Sequence, residues 1–520
     1  MRNTFSLLML LGIFCLGRPI AAQATHLLGG DIAYEYAGTA SQPNQYRVTA
    51  RFYRDLRSMI TNYTVDLAIT SSACDFTAPN GFVVQMKRIS ETTTAPLGCA
   101  DDFKYEIILF ESVVQLPPAR WSLNVSLENR TPGSRNLIES QAIGFHVNAV
   151  LDNSTGLRNN SAKFTSTTLP FLCASQPHRY SFSAFDGEGD SLVYTSVAPA
   201  KPLVSGQQPS CGTPLPYASY PAGTFQDPAT GQTISYPART FSAENPLFSF
   251  QVVNGIATPY FALNAATGEL TAFPLVKQVG PYVVAVRVDE YRKLSSGSNR
   301  RTFIGSVLRD VVYSVFEGSG NRNPTVTTAR INGSTIDYPL DLPIDVATGS
   351  FISLTLNATD ADAGQTVRLS SDVASVIPGA SFQTTGPNQA RLTWSVPDIP
   401  SGLYSCAVTL ADNGCPLNGT EVRTITFRVS RIVLSTQAKQ TTSLAAFPMP
   451  FQDRVQFQLP AQGTQVVIVS DELGRVVTQL TSRPDGLVVW QPEASVPAGL
   501  YFARSADGQQ TARLLRTGAK

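Results

Sequence analysis

The chain has 520 residues, a formal net charge of +1 at neutral pH and only 15% charged residues. A near-neutral surface gives no electrostatic ground for a nucleic-acid partner. Gly 37 and Pro 35, with no long stretch of 3.6-residue periodicity, exclude a helical bundle. The fold class expected is all-β, in roughly three or four domains.

The first residues, MRNTF, carry one positive charge, SLLMLLGIFCLG is apolar, and Ala22-Gln23-Ala24 is a small-x-small cleavage site. Residues 1–24 therefore read as a signal peptide, cut by signal peptidase before Thr25. The apolar run is too short to span a bilayer. No other segment is long enough, so no transmembrane segment is expected in the mature chain. Cys15 follows Phe14, where a lipoprotein has a small residue.

Six cysteines remain after cleavage: Cys74, Cys99, Cys173, Cys211, Cys406 and Cys415. In an oxidising compartment they predict disulfides. Neighbour pairing (74–99, 173–211, 406–415) is expected, because it keeps each link within one domain. No C-x-x-C occurs, so a zinc site has no support.

Residues 25–165 form the first β-sandwich domain expected. Ile32, Tyr34 and Tyr36 alternate with polar or small residues, as do Tyr46, Val48, Ala50 and Phe52. This is the period of a half-buried strand. Residues 166–320 form the second. SFSAFDGEGDSLVYTSV and GPYVVAVRVDEYR are strand signals around an excursion with nine prolines from Pro199 to Pro246. Phe225, Tyr236 and Phe241 offer apolar anchors there, so the excursion reads as an ordered insertion, pinned by Cys173–Cys211.

Residues 321–432 repeat the plan, and residues 433–446 are a short polar linker. Gly280-x-Tyr282, Gly402-x-Tyr404 and Gly499-x-Tyr501 each precede an alternating apolar strand. In Ig-like sandwiches a tyrosine so placed bonds back to the backbone at a corner between the sheets. Residues 447–520 hold six short strand signals, with turns at DELGR, PDG and Asp507-Gly508, and form a small terminal β-sandwich.

Three resemblances accompany these patterns. Pro450-Phe451, Asp471 to Gly474-Arg475, Gly499 to Tyr501-Phe502, and Leu514-Leu515-Arg516 resemble, in order, the C-terminal sorting domain of the type IX secretion system. One residue departs from that pattern, Met449 in place of Asn. The resemblance implies export by that machinery to the outer cell surface or the medium, via the periplasm. Second, the start Ala24-Thr25-His26-Leu27-Leu28-Gly29-Gly30, Tyr53-Arg54-Asp55, Asn129-Arg130, Asn136-Leu137 and Asn159 to Phe164 resemble large secreted gliding-motility-associated proteins. That family has Cys after Tyr-Arg-Asp where this chain has Leu56, which implies one missing family disulfide. Third, Asp186 to Tyr194, Thr267 to Thr271 and Gly280 to Val286 resemble cadherin-like and Ig-like domains.

Histidines His26, His146 and His178 lack metal-ligand spacing, and no G-x-S-x-G elbow occurs. No enzyme is expected. Asp186, Glu188 and Asp190 alternate in a glycine-rich loop and can turn their oxygens to one point, as a calcium site requires. Asp289, Glu290 and Asp310 are candidates to complete it, and Asp360, Asp362 and Asp412 form a weaker copy. The competing reading is a solvated Asx turn. Sequons at Asn62 and Asn124 are read as chance. The function expected is a secreted adhesive or structural protein binding an unidentified extracellular protein or glycan. The alternative is a polysaccharide-binding or other ligand-binding surface module.

Overall fold

The computed structural model describes residues 27–518 except 57–63, 72–73, 78, 95–103, 129, 139–142, 204–210, 294–299, 319, 432–441, 461–462, 507 and 509. The expected signal peptide 1–24, His26, the sequon at Asn62, Cys99 and most of the expected linker 433–446 lie outside the described residues. The chain is all-β and divides into two compact units. One runs to Ala329 and resumes over Tyr338–Arg431; the other comprises Arg330–Asp337 and the chain from Ile432 onward.

The first unit is built on a 13-stranded sheet. Its strands lie in the order Ser191–Val197, Gly280–Lys293, Arg301–Phe316, Leu27–Tyr36, Gln45–Asp55, Tyr105–Gln115, Gly81–Thr94, Thr64–Thr70, Arg120–Leu127, Phe145–Asp152, Ala200–Pro202 and Gly212–Pro214. The thirteenth, Phe171–Cys173, joins off this path. Alternation drives the strands as expected. Gln45–Asp55 buries Tyr46, Val48, Ala50 and Phe52 on one face.

Arg301–Phe316 organises the sheet. One edge pairs with Gly280–Lys293 along nearly its whole length. The other edge is shared in turn by three partners: Gly305–Val307 with Leu151–Ala149, Arg309–Val311 with Asp31–Gly29, and Ser314–Phe316 with Phe171–Cys173. The sheet therefore closes on itself, and strands from both sides of residue 165 share one core. Gly29 permits the closure. Its φ is +149°, and a Cβ there would stand 2.4 Å from the Asp310 carbonyl oxygen.

Buried polar latches hold the closing strand. The Arg130 guanidinium donates to both Asp310 oxygens at 2.7 and 2.8 Å and to the Ala200 carbonyl at 2.9 Å. Arg309 donates to Asp31 at 2.8 and 3.0 Å, to the Ser166 carbonyl at 2.7 Å and to the Tyr53 hydroxyl at 2.9 Å. Asn136 bonds both the N–H and the carbonyl of Val283. The Arg130 Nη atoms, the Asn136 amide and the Tyr53 hydroxyl thus find partners inside the protein, where an unpaired polar group would be costly.

Residues 325–430 form a two-layer sandwich. One sheet orders Thr325–Ile331, Phe351–Thr359, Gln389–Ser395 and Ala380–Gly386; the other orders Ile344–Ala347, Thr420–Ser430, Gly402–Ala411 and Arg368–Ser370. The second unit is also two-layered. Thr442–Leu444, Gln510–Arg516, Gly499–Ser505, Val466–Asp471 and Val476–Thr481 make one sheet; Ala446–Phe447, Val455–Gln458 and Leu487–Trp490 make the other. Phe451, Phe457, Val467, Trp490, Tyr501 and Leu514 fill its core.

The three corner tyrosines behave alike. Tyr282, Tyr404 and Tyr501 donate their hydroxyls to the carbonyls of Gln278, Pro400 and Pro497, four residues upstream, at 2.6, 2.7 and 2.6 Å. This is the corner geometry expected of Ig-like sandwiches.

The disulfides differ from the expected neighbour pairing. Cys211 bonds Cys74, 137 residues away, with Cα atoms 5.8 Å apart. This overturns both 74–99 and 173–211. Cys173 and Cys406 are buried thiols, and Cys415 is disulfide-bonded, so 406–415 fails too. The reason is topological. Cys173 lies on the strand beside Ser314–Phe316, whereas Gly212–Pro214 pairs with Ala200–Pro202 beside Phe145–Asp152. Cys406 sits five residues inside the strand that ends at Ala411, roughly 16 Å of extended chain from the turn beyond it. The Pro-rich insertion is tethered, but to the turn after Thr64–Thr70.

Candidate functional site

The loop joining Ala184–Phe185 to Ser191–Val197 holds the acidic run. Asp186 Oδ1 accepts the backbone N–H groups of Glu188 and Asp190 at 2.9 and 3.1 Å, an Asx turn. Gly189 takes φ +75°, and a Cβ there would lie 2.6 Å from Pro400 Cβ. Asp186 Oδ2 is buried and has no hydrogen-bond partner among the described residues.

Glu290 arrives from the strand Gly280–Lys293, at a register shift between Glu290 and Tyr291. One oxygen from each of Asp186, Asp190 and Glu290 lies within 4.8 Å of the others, and all three residues are buried. Glu290 accepts the Ala162 N–H at 2.8 Å and the Asn159 amide at 2.6 Å. Arg292 donates to both Asp190 oxygens at 2.8 and 2.6 Å, and to Glu188 at 3.1 Å. Glu188 turns away from the other three toward Asn160, whose backbone N–H and side-chain amide donate to it at 2.9 and 2.6 Å.

Four carboxylates thus crowd a region with one guanidinium, which among them touches only Asp190 and Glu188. Burial first, and Asp190 second, raise the Asp186 carboxyl to about 7. Burial and then Asp186 push Glu290 well above the usual carboxylate range. Burial also raises Glu188. The Asp186–Glu290 pair therefore keeps a proton at pH values where free carboxyls are ionised.

The other acidic candidates are engaged elsewhere. Asp289 is held by Arg287 at 2.8 and 2.9 Å, and Asp310 by Arg130. In the second cluster Asp362 pairs with Arg322 at 2.8 Å. Asp412 accepts the N–H groups of Gly414 and Gly419 and the amide of Asn321, while Asp360 Oδ1 accepts the Asp362 N–H at 2.7 Å. Sequence reasoning named Glu290 but missed Arg292 and Asn159, which orient the cluster. Arg292 follows Glu290 by two residues, so the alternation of the strand was its available signal. Asn124 is buried, its amide bonded to the Ala68 carbonyl.

The sorting-pattern residues of the second unit sit at its joints. Phe451 is buried against Trp490, ring centroids 5.5 Å apart, and its N–H and carbonyl bond Leu515 and Thr517. It follows Pro450 at the start of the unit. Asp471 accepts the N–H groups of Leu473 and Arg475 and the Arg475 guanidinium at 2.7 Å, around Gly474 at φ +79°. Gly499 opens the strand of Tyr501. The Arg516 guanidinium donates to the carbonyls of Gln452, Glu493 and Val496.

Strands, corners and disulfide together define an all-β protein of Ig-like β-sandwich architecture with a buried carboxylate cluster. No protein-family model matches the chain, and no curated protein matches it. Among solved structures it is similar to three Ig domains of titin, I67–I69, at 9% identity and TM-score 0.16, over 69% of this chain and 99% of that one. Sidekick-1 immunoglobulin domains 1–4 match at 9% and 0.14, over 94% and 99%. A protein of unknown function from Porphyromonas gingivalis W83 matches at 10% and 0.15, over 36% and 99%. Scores this low carry no argument, and the class rests on the strands themselves.

Proposed function

We propose that this is a non-enzymatic extracellular protein. Its C-terminal unit is an address for the type IX secretion system, and its remaining strands form an adhesive or structural passenger. One observation supports the reading above others. The residues that resemble the sorting pattern are the ones that join the edges and turns of a self-contained sandwich with its own core. A signal peptide cut before Thr25 would bring the chain to the periplasm, and the terminal unit would carry it to the surface or medium. Among the described residues no helix is long and apolar enough to cross a membrane. Deleting residues 447–520 in the producing cell should leave the passenger folded and periplasmic. Fractionation that still finds the truncated chain on the surface overturns the address.

Calcium belongs to the same proposal. Asp186, Asp190 and Glu290 would hold it, with Glu188 outside the set. The excess of carboxylates over guanidinium and the unbonded Asp186 Oδ2 suit a hard cation, which would replace the shared proton. In the mature chain, calcium at ~100-fold over its dissociation constant should stabilise by about 2.7 kcal/mol. The Asp186→Asn, Glu290→Gln double variant should lose that response. Thermal unfolding with chelator and with millimolar calcium reads it, and an unmoved wild-type midpoint removes calcium from the proposal. The whole chain is required, since Gly280–Lys293 shares its sheet with the N-terminal strands.

A further inference from the structure

A groove of about 710 Å³ opens on the face of the 13-stranded sheet. Five adjacent strands build its floor from alternate residues, so the lining follows from strand register. Ser122 faces Val150 and Asn124 faces Asn148; Val150 faces Ser306, which faces Asp289. Ala200 and Gly212 stand over His146, and the Cys74–Cys211 disulfide fastens that side. At the other end the Arg120 guanidinium stacks over Phe303, 4.8 Å from the ring centroid, beside Tyr291.

We infer that this groove binds an acidic oligosaccharide, a short run of sugar rings carrying carboxylates. Its size falls within the ~300–1,000 Å³ of ligand sites. The lining mixes amides, hydroxyls and one ion pair with a somewhat larger share of apolar surface, and it carries little net charge. Side-chain amides and hydroxyls both donate and accept, which suits vicinal hydroxyl groups. The Arg287–Asp289 pair is neutral overall and offers both kinds of partner. Arg120 has no carboxylate partner among the described residues, so it is the group to meet an anionic substituent. A peptide strand would need a free sheet edge, and this is a face. A nucleic acid would need several cations, and the groove has Arg120 beyond its one ion pair.

The inference rests on the extracellular reading only for where the ligand is met. Binding by purified protein and export in cells fail separately. The probe is a polygalacturonate oligosaccharide titrated calorimetrically into the full mature chain, beside its carboxyl-reduced form. Arg120→Ala and Asn148→Ala should each weaken binding about tenfold or more with the thermal midpoint little changed, and carboxyl reduction should do the same as Arg120→Ala. A third variant, Arg120→Lys, should bind better than Arg120→Ala. No binding by the wild type, or binding indifferent to both alanine variants, overturns the site. Undiminished binding of the reduced form overturns the acidic assignment.

Discussion

Arg130→Met should cost about 3–5 kcal/mol, because it leaves the Asp310 carboxylate buried without its countercharge. Both partners are nearly inaccessible, at 1% and 0% side-chain exposure. In water the loss of such a pair would be small; here no solvent can replace the guanidinium. The damage should reach past one bond. Asp310 lies where Arg301–Phe316 changes partners between Phe145–Asp152 and Leu27–Tyr36, so the closure of the sheet is at risk. Calorimetry of residues 25–520 should show the first unit's transition falling while the second unit's stays. The double variant Arg130→Met, Asp310→Leu should recover much of the loss, since two apolar groups of similar volume leave no charge uncompensated. A single variant as stable as wild type would show that Asp310 finds another partner.

Acid should destabilise the first unit through its buried histidines. His146 and His178 are both pushed down to about 4, His146 by burial and then by the nearby Arg130, His178 by burial. In the unfolded chain each titrates near 6.5. Between those values the unfolded state binds more protons, so stability is full above about 6.5 and is lost as pH falls toward 4. Each contributes roughly 3 kcal/mol to that loss. The Asp186–Glu290 pair works in the opposite sense, since its raised carboxyls bind protons more tightly in the folded state. A variant separates the two. Neither ring nitrogen of His178 has a hydrogen-bond partner among the described residues, and the ring packs on Tyr180 and Tyr313 at 6.5 and 5.9 Å. His178→Phe keeps an aromatic ring there and removes the proton. At pH 5 it should be more stable than wild type by about 2 kcal/mol, beyond any difference at pH 8. Equal differences at both pH values would show that His178 does not titrate with unfolding.

Whatever depends on near neighbours in the chain could be read from the residues in order. Alternation placed Gln45–Asp55 and the six expected strands of the terminal sandwich, because side chains on a pleated strand change face at every residue. The same locality made the three tyrosine corners readable, since each bond spans four residues. It also marked the Asp471–Arg475 turn and the Asx turn at Asp186. Which strands share an edge was set by long-range packing. Closure through Arg301–Phe316 brings Asp310 to Arg130 and Arg309 to Asp31, residues 180 and 278 positions apart. It sets Cys74 beside Cys211 instead of the neighbour assumed for each. It also carries Glu290 to Asp186 while Asn160 and Arg292 draw Glu188 aside. Apart from Glu290, which the sequence offered as a candidate beside Asp186, none of these pairings leaves a local trace. Side-chain period reports which face is buried, whereas the partner of an edge is chosen by the packing of the whole sheet.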